Sequence, residues 1–295
     1  MLPYLCPGAI ADSSYAAIEN MIIPNGVENG IASYTVRFYY QNATTGVYVP
    51  DYVTVNALMP TFSDGSVVFA NPGPNGSWWM PIVEKAYAEW NETGHEGRDG
   101  TNTYVALAAG CMNIVDEQVL GTAATVYFPT ASDLTTEAAL VSAIQGGEAV
   151  TAAIFVGNGD PNEFTQLQLV SGHAYEIAGY DAASQTFQLE NPWGCYEPAP
   201  LTWSQFSTYC DWAAVANTSS TITTSSVSAG ATAATSAATD VEAHATALAS
   251  MGKPQYIVDA DVLASLVGSG NSSALGNTQD MRKHAVDIFM AEFGR

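Results

Sequence analysis

The stretch LVSGHAYEIAGYDAASQTFQLENPWG, residues 169–194, carries His173 at the start of one strand-like run and Asn191 at the end of the next. An imidazole is the side chain whose ordinary pKa lets it take up and return a proton near neutrality. A carboxamide oxygen beside it can accept a hydrogen bond from one ring nitrogen and fix the orientation of the ring. Trp193, just beyond Asn191, can shield that bond from water. Gly172, directly before His173, lets a substrate or a second side chain approach the backbone closely. The two residues meet only if 173–181 and 185–192 fold as a hairpin. Their β-branched and aromatic content, with a polar turn between them, predicts that hairpin. A histidine alone on a strand is ordinarily a partly buried structural residue. Its neighbours must decide between that reading and half of an acid–base site.

Several further elements must position such a site. Residues 13–22 read as a helix, with Ala17, Ile18, Met21 and Ile22 on one face, ended by Pro24–Asn25–Gly26. Residues 34–40 and 46–60 read as strands, and 63–71 as an Asp-Gly turn followed by another strand. Residues 77–91 are the clearest helix. Ser77 stands at its cap, and Trp79, Ile82, Val83, Ala86 and Tyr87 form an apolar stripe. A second helix is expected over 134–147, stopped by Gly146 and Gly147. The strands 148–157, 173–181 and 185–192 follow, then a short helix and a closing strand within 200–217. From 218 to about 240 the composition falls to Ser, Thr, Ala and Gly, which predicts a linker. The tail 241–295 reads as helical, and Val286, Phe289, Met290 and Phe293 repeat at helical spacing.

Composition narrows the function. The chain has 29 acidic residues against 7 Lys and Arg, a net charge of −22. Nucleic-acid binding requires a patch of basic residues to displace phosphate counterions, so nucleic acid is not an expected partner, and neither is an anionic membrane. No apolar run reaches the roughly 18 residues that span a bilayer. The N-terminus lacks the basic region and full apolar core of a signal peptide. These features fit a soluble protein and leave its compartment unassigned. The four cysteines, Cys6, Cys111, Cys195 and Cys210, form no CxxC pair. A zinc ribbon or thioredoxin-like site is therefore not expected.

The ordered motifs GHAY, NPWG and WWMPIVEKAYAEWN, with the strand run from Tyr34 to Ala70, resemble the calpain family of papain-like cysteine proteases. The resemblance extends over roughly residues 15 to 217. It implies an α+β, papain-like core of two lobes, with a cysteine at a helix N-terminus facing the histidine and asparagine across a cleft. It implies His173 as general base, Asn191 as its orienter and Trp193 as the shield. The lobes are expected at 1–116 and 117–217, followed by the linker 218–240 and a helical tail, 241–295. Protein or peptide is the expected substrate.

The resemblance also requires a thiolate, stabilised by a helix N-terminus and a neighbouring imidazolium. The family's QGxxGDC stretch is not present, and Cys6 is the cysteine nearest to its place. Cys6 qualifies if Pro7 opens a helix. The expectation preferred over Cys6 is that the chain begins inside or just after the nucleophile helix, because the family's glutamine would fall one residue before Met1 and the stretch from Cys6 to Ile18 is shorter than the family's helix. The first lobe is then incomplete, and the protein as written is inactive. Cys111, Cys195 and Cys210 read as small buried hydrophobes. No cofactor is needed for this chemistry, but the resemblance raises calcium as an activator. Asn158, Asp160, Asn162 and Glu163 offer oxygens in one loop, without EF-hand spacing, and read first as a solvated loop. The alternative function is a non-catalytic module that holds an extended peptide. Transglutaminase chemistry ranks last, because those enzymes use aspartate where Asn191 stands.

Overall fold

A computed structural model describes residues 2–70, 72, 77–107, 110–157 and 159–218, with side chains from residue 7 onward. The chain opens with helices α1 (Leu2–Ser13) and α2 (Tyr15–Glu19) and the strands β1 (Ile22–Glu28), β2 (Ile31–Gln41) and β3 (Tyr48–Asn56). The strands form an antiparallel sheet in the order β1-β2-β3. Along β2, Ala32, Tyr34, Val36 and Phe38 face the core and their neighbours face outward, the period of two that fixes register. Helix α3 (Trp79–Trp90) covers the inner face with Ile82, Val83, Ala86, Tyr87 and Trp90.

Helix α4 (Met112–Leu120) ends at Gly121 and leads to β4 (Thr125–Tyr127), α5 (Leu134–Gln145) and β5 (Ala149–Ile154). Then come α6 (Pro161–Gln166), β6 (His173–Asp181), β7 (Thr186–Glu190), β8 (Leu201–Thr202), α7 (Trp203–Tyr209) and β9 (Cys210–Ala216). Six of these strands form a second antiparallel sheet in the order β4-β9-β5-β6-β7-β8. Its two faces differ in residue size. Ala149, Ala153, Ala174, Ala214 and Ala216 join the core that α1, α3, α4 and the first sheet share. Val150, Ile154, Tyr175, Ile177, Phe187 and Leu189 fill a second core with Leu140 of α5 and Phe206 of α7. The alanine face lets a helix approach closely, and α1 packs there against β5 and β6. The fold is thus α+β, with helices packed on antiparallel sheets.

Most expected elements form, and four readings need correction. Residues 13–22 are not one helix. α2 spans five residues, and Ile22 already pairs with Val36 of β2. Pro24 and Gly26 do not end a helix. They sit at a bulge in β1, an edge strand, where a missing N–H and a positive φ are tolerated. Of the stretch 63–71, the described residues 63–70 make the turn but no strand. Gly65 has φ +87° and Asp64 accepts the Ser66 N–H at 2.8 Å, yet the pairing is one bridge, Thr61 to Val67. Phe69 instead stacks on Tyr104, and the Ala70 N–H donates to the Glu84 carboxylate at 2.7 Å. The residue capping α3 is Trp78, without a side-chain cap bond, and not Ser77.

The position between residues 116 and 117 falls inside α4, which packs on α1, β2 and β9. Thr218 is tied to Glu148 at 2.7 Å. The linker beyond it and the tail 241–295 lie outside the described residues. Among the described residues, no helix is long and apolar enough to cross a membrane.

Candidate active site

The hairpin forms as the sequence predicts. β6 and β7 pair from Asp181–Thr186 back to Glu176–Glu190, and the register shifts at the irregularity between Ile177 and Gly179. His173 begins β6 and Asn191 follows the last residue of β7, so both lie at that end. His173 Nε2 is 3.1 Å from Asn191 Oδ1. The network around the carboxamide settles which way it points. Asn191 Nδ2 donates to the Tyr196 carbonyl at 3.2 Å, and Oδ1 accepts the Trp193 N–H at 3.1 Å. Oδ1 therefore faces the imidazole, and Nε2 carries the proton that it donates. Nδ1 is left with a lone pair, the form a general base needs.

Two aromatic rings enclose the imidazole. Trp193 lies with its centroid 4.2 Å away, tilted by 38°, and Tyr175 meets it edge-on at 4.8 Å. Tyr175 is itself held, its hydroxyl accepting the Val170 N–H at 2.9 Å. Asn191 is 1% exposed and His173 8%. Burial pushes the His173 pKa down from 6.5 to about 4, and the hydrogen bond to Asn191 opposes that shift only in part. The ring is neutral at pH 7 in these surroundings. The Glu197 carboxylate accepts the backbone N–H of Asn191 at 2.9 Å, which ties the turn back under the site.

Cys6 is the fifth residue of α1, the helix that packs against β6, which His173 begins, and its neighbour β5. Pro7 does not open that helix, as expected from the sequence, but lies inside it as the sixth residue. Having no N–H, it leaves the Pro3 carbonyl without its usual partner in the first turns. The other cysteines lie in three different settings. Cys210 is buried, and burial raises its pKa well above the ordinary value. Cys195 is half-buried. Cys111 is not a buried hydrophobe, as the sequence suggested, but an exposed residue at the N-cap of α4.

The acidic loop that follows β5 is better built than expected. Asp160 caps α6 by accepting the Asn162 N–H at 2.8 Å. Glu163 accepts hydrogen bonds from Gln205 at 3.0 Å and from the Tyr209 hydroxyl at 2.7 Å. Each of its oxygens is thus hydrogen-bonded to a side chain of α7. Asn158 lies outside the described residues. Among the described residues, no group of three or more His, Cys, Asp or Glu side chains is arranged to hold a metal ion. Sequence reasoning also missed α4 and α6. The Asp160–Pro161 pair, a cap followed by proline at the first helical position, was the available signal for α6.

The model of the calpain family of cysteine proteases matches residues 10–231 of the chain. Among curated proteins, the calpain-1 catalytic subunit of rat is 27% identical over 209 residues, covering 64% of this chain and 27% of the relative. The human calpain-1 catalytic subunit is 26% identical over 209 residues with the same coverage. The chicken protein is 25% identical over 210 residues, covering 65% of this chain and 28% of its own length. The chain thus spans little more than a quarter of the relatives it matches.

Proposed function

The chain belongs to the calpain family of cysteine proteases, and from that premise we propose that it hydrolyses internal peptide bonds of proteins by a Cys–His–Asn mechanism. The observation that carries the reading is the 3.1 Å pairing of His173 Nε2 with Asn191 Oδ1 under the indole of Trp193. With Nε2–H committed to the carboxamide, Nδ1 takes the proton of the attacking thiol. The thiolate adds to the peptide carbonyl, and the imidazolium gives its proton to the departing amine; a water deprotonated by the neutral imidazole then attacks the thioester, the C–S bond breaks, and the proton goes to the leaving sulfur. Asn191 keeps the ring in the correct tautomer throughout. Cys6 is the proposed sulfur. The support for it is that α1 lies against β6.

The lobes 1–116 and 117–217 belong to the same proposal. So does the view that the chemistry needs no cofactor and that calcium acts, if at all, as an activator. The test uses a cysteine-directed epoxide and mass spectrometry. The expected result is one adduct, on Cys6, lost in Cys6→Ala and in His173→Ala, together with cleavage of casein. An adduct on Cys111, Cys195 or Cys210 would remove Cys6 from the mechanism. Absence of both adduct and cleavage, with and without calcium, would favour a module that holds peptides without cutting them.

A further inference from the structure

Ile154 is the register partner of His173 across β5 and β6, and Phe155 follows it. Ile154 is fully buried, yet Phe155 keeps 40% of its surface exposed. Phe155 is not on a free loop. Its N–H donates to the Tyr209 carbonyl at 2.8 Å, and the Gly172 N–H donates to the Ile154 carbonyl at 2.8 Å. The Val156 N–H donates to Ser171 Oγ at 3.1 Å. The segments 154–156 and 171–173 are therefore clamped side by side. The Phe155 ring rests on Gly172, where an added Cβ would lie 3.7 Å from Cε1. Gly172 is the residue before His173, and Trp193 covers the imidazole. A large, partly exposed aromatic ring thus lies against the residue that precedes His173.

We propose that Phe155 is a specificity-determining residue, whose ring is the wall against which the substrate packs an apolar side chain adjoining the scissile bond. A ring fixed through its backbone loses little freedom on binding, so its contact area converts efficiently into affinity. It offers no hydrogen bond, so a polar or charged side chain placed there loses water and gains nothing. The inference rests on the reading of His173 and Asn191 as the active site, and its test must separate the two.

The probes are peptides with a reduced, uncleavable bond, carrying Leu or Ala immediately before or immediately after that bond. Binding is measured to the unmodified chain, to Phe155→Ala and to Phe155→Leu. Thermal melts confirm that the variants fold. The unmodified chain is expected to favour Leu over Ala at one of the two positions by roughly ten-fold or more. Phe155→Ala is expected to bring that ratio close to one, and Phe155→Leu to retain part of it. Equal binding of Leu and Ala peptides by the unmodified chain, or a ratio that survives Phe155→Ala, overturns the proposal. Cleavable versions are assayed in parallel. Discrimination in binding without cleavage supports the wall and removes the catalytic reading. Cleavage without discrimination does the reverse.

Discussion

The carboxamide of Asn191 is held at both ends. Its Nδ2 donates to the Tyr196 carbonyl while its Oδ1 accepts from the Trp193 N–H and from His173 Nε2. Replacing it with alanine leaves a buried imidazole N–H without an acceptor and frees the ring to rotate. Asn191→Ala should lower kcat/KM by roughly 100-fold and stability by about 1–3 kcal/mol. Asn191→Asp keeps the acceptor but adds a negative charge, which favours the imidazolium. The His173 pKa, followed by NMR, should rise well above its value of about 4. An unchanged titration in the aspartate variant would mean that the two side chains are not in contact.

Burial of His173 also sets an acid limit on stability. The unfolded chain takes up the imidazole proton near the ordinary value of 6.5, whereas the folded chain resists until about 4. Stability is therefore complete above 6.5 and declines as pH falls toward 4, by on the order of 3 kcal/mol from this group. Chemical denaturation at pH 7 and pH 4.5 measures the loss. His173→Gln should reduce the slope over that interval.

Glu84 acts in the opposite direction. It is 3% exposed, its Oε1 has no hydrogen-bond partner, and it borders a cavity lined by Pro7, Phe38, Met80, Val83, Tyr87, Val115 and Val119. Burial raises its pKa well above the ordinary 4.5. The folded state then holds a proton that the unfolded state has released, so stability falls as pH rises above about 4.5. Glu84→Gln preserves an acceptor for the Ala70 N–H and removes the ionisation. It should stabilise the protein at pH 8 by roughly 1 kcal/mol and have little effect at pH 4. A loss of stability at both values would show that the carboxyl supplies a contact that the amide cannot.

Gly121 closes α4 in the left-handed region, with φ +71°, and a Cβ there would meet the Tyr39 ring at 2.8 Å. Gly121→Ala combines an unfavourable backbone with a steric overlap. It should cost about 2 kcal/mol or more, read as a lower melting temperature. Gly30 has a similar φ of +81° with open space around it, and Gly30→Ala should cost only the backbone part.

The net charge of −22 predicts a salt effect. At about 10 mM salt, repulsion acts over roughly 30 Å, and at about 1 M it is confined to roughly 3 Å. Self-repulsion weakens the compact state, so the melting temperature should rise by a few degrees between those conditions. A melting temperature that is flat or falls would show that local pairing already neutralises the acidic surface.

The sequence by itself determined what is local. A hairpin joins residues close in the chain, so alternation and one polar turn were enough to bring His173 and Asn191 to the same end. The helix of Trp79–Trp90 and the strand of Ile31–Gln41 were legible for the same reason, since each shows its period within its own length. Only the tertiary structure decided what depends on distant partners. Met21 and Ile22 left the expected helix because the backbone of β2 was available to pair with them. The described segment 63–70 found no neighbouring strand, and its Ala70 N–H went to the buried carboxylate of Glu84. Glu163 was drawn to Tyr209, 46 residues away, and Phe155 was set beside Gly172 by clamps that no spacing rule encodes. Local periodicity costs little chain entropy to satisfy, whereas such contacts exist only after the chain has closed on itself.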